Sequence, residues 1–426
     1  MSFSYTPAYT RCGDLVASIG VNIHLRGSNG ALYANVATVM ASLAYLGVDL
    51  VRDSTYAPSN ANAANYTAMA QAGFRFNMLA NTNFTPAQMV SYLEPFETAN
   101  AGSVHAQEGV NEINNYASYS YDGFSGTNAN ASGEVQMSDA AAAYEGDLLS
   151  AVRASPILTP KLVFNFTDYP DTAGACDAGA FHTYPPIDYS PGPGDRMGYN
   201  EYTQEQVVSG KPVVCTEFNW AYTGYAGDID QATQAKYLLI GLLCLFWNGV
   251  SEAYIYELFD EQTSATKIQD PNFYGLFTST GVEKQAATAL RNLIQVLRDD
   301  DLGASEFTPS LPAITVAGGP TRIRSMALQK ANGQIVLAVW NDVRLWANGA
   351  AVAVAASTVT ITLPTAAQRL EIYDPVNSPD PIAYAFNAST LAVSLSDRPL
   401  LITVSAPPLS GGINLDLNNP ALTAVL

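Results

Sequence analysis

The 426-residue sequence predicts an α/β fold, a (β/α)8 barrel over residues 1–300, followed by an antiparallel β-sandwich over residues 301–426. Two observations predict this order. Up to about residue 300, short apolar runs alternate with longer helical patterns, as in repeated βα units around a parallel sheet. After Asp301 the apolar residues recur at every second position between turns rich in Gly, Pro, Asn and Asp, which is typical of a small sandwich.

Eight apolar runs are predicted to be the barrel strands, and most are nearly continuous in hydrophobicity, as expected of strands covered on both faces. In chain order they are Ser18–His24, Val48–Arg52, Phe74–Leu79, Val104–Val110, Leu162–Phe166, Ala180–Thr183, Val213–Thr216 and Ala253–Tyr256. An open doubly wound sheet would more often carry a glycine-rich phosphate turn after its first strand, and none follows the first run here. The pattern therefore favours a closed barrel.

Helical patterns fill most of the intervals between these runs. The clearest are Leu32–Leu46, Asp139–Arg153, Asp230–Asn248 and Val282–Arg298. Another helix starts at Thr85-Pro86-Ala87-Gln88, which supplies an N-cap, a proline at the first helical position and a Gln that reaches back to the cap. The interval from Phe166 to Ala180 is too short for a full helix and is predicted to be a loop.

Six runs with period-two alternation are predicted to form the sandwich. They are Thr321–Leu328, Ile335–Trp340, Val359–Leu363, Arg369–Tyr373, Thr390–Leu395 and Leu400–Val404. Their pattern shows no obvious exposed aromatic row, so we expect the sandwich mainly to pack against the barrel. The tail from Ala406 to Leu426 is punctuated by Pro and Gly, and the sequence does not set its position.

Composition excludes several classes of partner. The net charge of −19 would repel phosphate backbones and anionic lipid headgroups, so we expect neither nucleic acid binding nor membrane insertion. The longest apolar run, Tyr237–Trp247, is far shorter than the ~20 residues of a membrane span.

Met1–Thr10 lacks the features of a signal peptide. We expect a secreted or periplasmic protein whose signal is absent from the printed chain, with a cytoplasmic protein as the alternative.

The four cysteines lie far apart and show no C-x-x-C spacing, which argues against a zinc site or a disulfide-dense scaffold. Cys215 and Cys244 sit in apolar runs and are predicted to be core thiols. A bridge between Cys12 and Cys176 is left open.

Polar residues end most of the predicted barrel strands. In a barrel the active site lies at the C-terminal ends of the strands, so these residues are expected to share one rim. They include His24, Arg52, Asn111, Glu112, His182, Tyr184, Glu217 and Glu257. Glycoside hydrolysis needs two carboxyl groups beside the bond, one to protonate the leaving group and one to attack the anomeric carbon or activate water. Glu112 after the fourth strand and Glu217 on the seventh are candidates for that pair.

Several further residues are candidates, and some of them have two interpretations. Tyr119 and Tyr121 lie in the loop Ile113–Met137 and could stack on sugar, or the loop could pack its own aromatic rings. Trp220 belongs to a second aromatic cluster after the seventh strand. Glu257 is predicted to contact substrate or to pair with a loop. Glu108, inside the fourth strand, is expected to pair with an Arg or Asn of a neighbouring strand.

Two segments resemble the signatures of clan-A glycoside hydrolases. Gln107-Glu108-Gly109-Val110-Asn111-Glu112 resembles the strand-four segment, and Lys211-Pro212-Val213-Val214-Cys215-Thr216-Glu217 resembles the strand-seven segment. The resemblance implies that Glu112 is the acid/base, that Glu217 is the nucleophile and that Asn111 binds sugar. Arg52, His182 and Tyr184 match positions that in the clan orient the nucleophile and the sugar. The overall order of features is most similar to families 5 and 39.

The sequence departs from the clan's pattern at two places. Ile113 follows Asn111-Glu112 where many relatives have proline, and the eighth strand carries Tyr254 and Tyr256 where many have tryptophan. The expectation is nevertheless a retaining glycosidase that acts as a monomer on a polysaccharide or oligosaccharide. No cofactor is expected, and no metal either, because His24 and His182 lack a third ligand at a familiar spacing. A transglycosylase with the same residues and a non-catalytic carbohydrate-binding barrel are the alternatives.

Overall fold

A computed structural model describes residues 7–26, 30–167, 171–191, 196–301 and 303–405. Its first part is an eight-stranded parallel barrel, as predicted. The strands are β1 (Ile19–Asn22), β2 (Leu50–Ser54), β3 (Arg75–Ala80), β4 (Val104–Val110), β5 (Leu162–Phe164), β6 (Gly179–Thr183), β7 (Val213–Phe218) and β8 (Glu252–Ile255). They lie in the order β5-β4-β3-β2-β1-β8-β7-β6, and a single parallel bridge between Phe164 and Ala178 joins the two ends. All strand C-termini therefore meet at one rim.

Eight α-helices surround or flank the barrel in the described part of the chain. They are α1 (Cys12–Ala17), α2 (Val36–Leu46), α3 (Ala63–Gln71), α4 (Pro86–Ala99), α5 (Ala131–Ala154), α6 (Arg196–Val208), α7 (Gln231–Asn248) and α8 (Gln285–Leu297). The start of α4 has the predicted capping box, in which Thr85 Oγ1 accepts from the Gln88 backbone and the Gln88 side chain accepts from the Thr85 backbone. None of the helices in the described ranges has the length and apolar character needed to cross a membrane.

The connections after β4 and β5 differ from those of a regular barrel. A short hairpin, Ser118–Tyr121 paired with Phe124–Thr127, precedes α5 and forms part of the loop that the sequence left unassigned. Between β5 and β6 the described residues contain no helix, as the short interval predicted. The four cysteines are buried free thiols, so Cys12 and Cys176 are unbridged in this structure.

The second part is a six-stranded antiparallel sheet that forms the predicted sandwich. Its strands are β9 (Thr315–Gly318), β10 (Ile323–Gln329), β11 (Ile335–Asn341), β12 (Ser357–Tyr373), β13 (Pro381–Leu395) and β14 (Leu400–Val404). The runs Val359–Leu363 and Arg369–Tyr373, predicted as two strands, belong to the one long strand β12, whose register with β13 shifts between Thr362 and Ala367. The tail after Ser405 lies outside the described residues.

One hydrophobic cluster contains residues of both the barrel and the sandwich, which fits the expectation that the sandwich packs against the barrel, and the sandwich has a further core of its own. Trp340 of β11 is fully buried and its indole N–H contacts the Cys244 sulfur of α7 at 3.3 Å. The Tyr237 hydroxyl of α7 accepts from the Leu345 backbone at 2.8 Å, and the amide of Asn292 in α8 donates to the Pro375 carbonyl at 3.0 Å.

The expectation that the sandwich has no exposed aromatic row is wrong. Ile382, Tyr384 and Phe386 of β13 are 59%, 49% and 63% exposed. Alternate residues of a strand point to the same face, so these three side chains form a row. The segment was not predicted as a strand, because its alternation of alanine with larger residues is weak.

Candidate active site

The two candidate glutamates lie close together at the C-terminal rim of the barrel. Glu217 is on β7, and Glu112 comes two residues after the end of β4. One carboxylate oxygen of each, together with a ring nitrogen of His182, lie within 4.8 Å of one another. The Glu217 side chain is 8% exposed and that of Glu112 is 27% exposed, so Glu112 is the more accessible of the pair.

Arg52 on β2 connects the barrel interior to this pair. Its Nε and Nη2 atoms donate to the two carboxylate oxygens of Glu108 at 2.7 Å each, a bidentate contact. Its Nη1 atom donates to Glu217 Oε1 at 2.7 Å and to Asn22 Oδ1 at 2.8 Å, and Nη2 also donates to Asn111 Oδ1 at 2.7 Å. Burial would lower the pKa of Arg52, but Glu108 and Glu217 raise it above its usual value. The guanidinium therefore stays charged.

Glu108 has the partners expected of it. Besides Arg52, the Asn77 amide of β3 donates to Glu108 Oε2 at 2.7 Å, and the carboxylate is completely buried. Glu108 therefore holds Arg52 from the side away from Glu217, and it has no access to a substrate.

Residues of β6 and its following loop contact the opposite side of the pair. The Tyr184 hydroxyl donates to Glu217 Oε2 at 2.5 Å. His182 Nδ1 lies 3.0 Å from Glu112 Oε1 and 3.5 Å from Glu217 Oε2. Glu217 thus has a donor on each carboxylate oxygen, and His182 lies between the two acids.

The titration of His182 and Glu112 is linked. Burial lowers the pKa of His182, but the charge of Glu217 and the hydrogen bond to Glu112 raise it above its usual value. Burial raises the pKa of Glu112, but His182, Asn115 and Arg52 together lower it below its usual value. The contact therefore favours the protonated form of the imidazole and the ionised form of Glu112.

Local backbone structure orients Glu112. Its φ angle of 41° places it in the left-handed region, where few residues other than glycine are found, and its backbone N–H donates to Thr167 Oγ1 at 3.1 Å. The Asn115 amide, in the short helical turn that follows, donates to Glu112 Oε2 at 3.0 Å. These contacts turn the side chain away from the strand direction and towards His182.

A second pair, His24 and Glu257, lies where β1 and β8 end. Glu257 is fully buried, accepts from the Tyr33 hydroxyl at 3.0 Å and lies 3.1 Å from His24 Nε2. Burial raises the pKa of Glu257 to about 7, although His24 counteracts this. Burial lowers the pKa of His24, but Glu257 raises it above its usual value. Of the two interpretations of Glu257, the structure contradicts substrate contact, because the carboxylate is enclosed by His24 and the loop residue Tyr33.

Two tyrosines that were not predicted as site residues pack against Tyr184, which donates to Glu217. Tyr256, after β8, has its ring centroid 6.2 Å from Tyr184 and 5.7 Å from His24, and Tyr274 lies 5.0 Å from Tyr184. Both are partly exposed. Tyr256 occupies a strand end, so the same rule that selected Glu257 would have found it. Tyr274 follows a short helical turn far along the chain, and the sequence gives no signal for it.

Three aromatic residues predicted to bind substrate do not line the rim. Trp220 is fully buried and stacks on Tyr237 of α7 at 5.1 Å. Tyr119 is 9% exposed. The Tyr121 ring packs on Tyr144 of α5 at 5.1 Å, and its hydroxyl donates to Asp147. The burial of Trp220 and Tyr119 contradicts substrate contact for these two residues. Tyr121 is partly exposed, and its packing on Tyr144, with the Tyr116 and Tyr119 rings 6.2 Å apart, favours the alternative given for the loop, in which it packs its own aromatic rings.

Within the described ranges, two groups of side chains bring metal-type ligand atoms within 4.8 Å of one another. One is Glu112 with His182 and Glu217, and the other is His24 with Glu257 and Glu261. In the first group the Arg52 guanidinium is 2.7 Å from Glu217, and its positive charge would repel a cation. In the second, His24 and Tyr33 already contact the Glu257 carboxylate. Neither arrangement favours a metal ion.

The fold is shared with solved glycoside hydrolase structures. A family 39 glycoside hydrolase from Bacteroides cellulosilyticus superposes with a TM-score of 0.60 at 13% identity, over 92% of this chain and 82% of that one. A glucosidase from Croceicoccus marinus gives 0.56 at 12% identity, over 95% and 98%, and a family 39 enzyme from Xanthomonas axonopodis gives 0.55 at 12% identity, over 94% and 96%. No protein-family model and no curated protein sequence matches the chain. The predicted fold, a (β/α)8 barrel followed by a β-sandwich, is confirmed.

Proposed function

We propose that this protein is a retaining glycoside hydrolase that acts on a polysaccharide or oligosaccharide. The observation that carries the proposal is the pair Glu112 and Glu217, whose oxygens approach within 4.8 Å at the barrel rim. Retaining enzymes have carboxyl groups about 5–5.5 Å apart, whereas inverting enzymes need roughly 6.5–9.5 Å to admit a water molecule. Nearest oxygens within 4.8 Å of each other fit the shorter spacing better than the longer one, and this supports direct attack by a carboxylate.

The surroundings of the two acids support different roles. Glu217 receives hydrogen bonds from the Arg52 cation and from Tyr184, which stabilise its negative charge and orient it. This is the environment of a nucleophile. Glu112 is more exposed and shares a hydrogen bond with His182, whose raised pKa makes it a proton reservoir at 3.0 Å. This is the environment of an acid/base.

The reaction then proceeds in two displacements. Glu217 attacks the anomeric carbon while Glu112, having received the proton held by His182, transfers it to the glycosidic oxygen, and the leaving group departs as an alcohol. In the second step Glu112 removes a proton from water and returns it to His182, the water oxygen attacks the anomeric carbon, and the bond to Glu217 breaks. The charge on Glu217 also stabilises the positive charge that develops on the sugar in both transition states.

A two-part experiment tests this assignment. Screening plant and bacterial polysaccharides for new reducing ends identifies a substrate, and NMR of the first product gives its anomeric configuration. A 2-deoxy-2-fluoro glycoside of that sugar should then label Glu217, and Glu217→Gln should lower turnover by several orders of magnitude with an unchanged unfolding midpoint. Labelling of Glu257, or a product of inverted configuration, would contradict the proposal.

The same experiment separates hydrolysis from transglycosylation. With the substrate identified, products are compared in water and in the presence of excess oligosaccharide acceptor. A hydrolase releases mainly the free sugar, whereas predominant elongation of the acceptor at low acceptor concentration would identify a transglycosylase.

A further inference from the structure

The exposed row on β13, Ile382, Tyr384 and Phe386, has no role in the site described above. Successive members are about 7 Å apart along the strand, given a rise of about 3.4 Å per residue. Each side chain exposes roughly half or more of its surface. The row therefore presents an elongated apolar strip with two aromatic rings.

Neighbouring strands hold one of these rings in place. The Arg369 guanidinium of β12 lies over the Tyr384 ring, 4.9 Å from its centroid, and its Nη2 atom is 2.6 Å from Glu371 Oε1. The other oxygen of Glu371 accepts from the Tyr373 hydroxyl at 2.6 Å and from Thr403 of β14 at 3.0 Å. The Tyr384 ring is thus positioned by a chain of contacts that reaches a buried strand, which lowers the entropy cost of binding a ligand.

The composition of the strip indicates the chemistry of its ligand. Arg369 and Glu371 pair with each other, so the surface offers hydrogen-bonding groups without net charge. A pyranose ring is uncharged, has a flat apolar face and carries hydroxyl groups at its edge, and it matches aromatic rings flanked by such groups. A polyanion or an anionic membrane would instead be repelled by the protein's net charge of −19.

The size of the strip argues against a protein partner. Three large side chains at this exposure offer on the order of 350 Å² of apolar surface. A stable dimer or complex needs about 800 Å² from each partner. The area is instead within the range of a functional patch on a monomer.

We propose that the Ile382–Phe386 strip is an accessory binding surface for a neutral polysaccharide chain, separate from the cleft that holds Glu112 and Glu217. The choice of ligand class rests on the proposed function, whereas the existence of the surface does not. The sandwich would then keep the enzyme on a polymer while the barrel cleaves it.

The test uses the full chain in a Glu217→Gln background, so that the polymer is not consumed. Affinity electrophoresis in gels containing xylan, glucomannan, β-1,3-glucan or hydroxyethyl cellulose measures retention. We expect retention by at least one polymer, and a loss of affinity of roughly tenfold or more in Tyr384→Ala/Phe386→Ala, by analogy with aromatic stacking on flat ligands. Tyr384→Phe/Phe386→Tyr keeps both rings and should retain binding.

Val282→Ala is the matched control, since Val282 is 61% exposed and lies on the barrel side of the molecule, before α8. Retention by none of the polymers, or equal retention of the double alanine variant and the control, would overturn the proposal. So would a concentration-dependent dimer that the double alanine variant abolishes. If the double alanine variant loses retention but the wild-type chain cleaves no glycan, the accessory surface is supported and the proposed activity is refuted.

Discussion

Replacing Arg52 by methionine should destabilise the fold and inactivate the site through two separable effects. The guanidinium is 3% exposed and donates to Glu108, Glu217, Asn22 and Asn111. Without it the fully buried Glu108 carboxylate keeps only the Asn77 amide as a donor. Removing one partner of a buried ion pair costs about 3–5 kcal/mol, so we expect the free energy of unfolding to fall by that amount.

A second substitution separates the structural effect from the catalytic one. In Arg52→Met/Glu108→Met the unpaired charge is gone and two apolar side chains replace the pair, so at least half of the lost stability should return. Activity should not return, because Glu217 still lacks the donor at 2.7 Å. Urea unfolding followed by tryptophan fluorescence measures the first quantity, and turnover on the substrate measures the second.

The control is Arg75→Met, which breaks the exposed pair with Asp49 at 2.8 Å and should cost less than about 1 kcal/mol. An Arg52→Met protein within 1 kcal/mol of the wild type would refute the reasoning. So would a double variant that is no more stable than Arg52→Met, since the cost would then not come from the unpaired Glu108.

Three further changes are expected to have measurable effects. His182→Gln removes the imidazole whose raised pKa favours keeping the proton shared with Glu112. The basic limb of the pH profile of kcat/KM should therefore move to lower pH, towards the pKa of Glu112 itself. An unchanged basic limb would show that His182 does not supply the proton. Burial raises the pKa of Glu201 from 4.5 to about 8, so the folded state binds this proton more tightly and the wild type should lose stability as pH rises from about 4.5 to 8. Glu201→Gln should remove that loss, which is on the order of a few kcal/mol, and equal pH dependence of the two proteins in urea unfolding would contradict it. Trp220→Ala should lower the free energy of unfolding by about 3–5 kcal/mol, because it leaves a cavity beside Tyr237. The milder Trp220→Phe should leave KM unchanged, and a tenfold rise in KM would show that Trp220 contacts the substrate.

The sequence predicted the parts of the structure that depend on periodicity and strand ends. Near-continuous apolar runs gave the eight barrel strands, and β4 and β14 have the predicted bounds. The rule that strand C-termini share a rim is a consequence of parallel topology, so it predicted that Arg52, Glu112, His182 and Glu217 would lie together. The contacts among these four residues agree with that expectation.

Features that depend on how loops pack could not be predicted. An aromatic residue after a strand has the same sequence signature whether it faces the cleft or the core, and Trp220 and Tyr121 prove to pack against α7 and α5. Tyr274 reaches Tyr184 only through tertiary structure. The row on β13 could not be predicted as a strand because alanines alternate with its larger residues, and this weakens the alternation of apolar with polar residues.

The charges gathered around the two acids also bear on catalysis. Glu108, Glu112 and Glu217 are three carboxylates, and Arg52 and protonated His182 are two cations, so the cluster has a net charge of one negative when all five are ionised. Transfer of the histidine proton through Glu112 to the leaving group makes the cluster more negative as the sugar becomes positive. Because these groups are mostly buried, the attraction between the cluster and the sugar is weakly screened by solvent. The arrangement therefore favours the oxocarbenium-like transition state over the neutral substrate, which is what a rate enhancement requires.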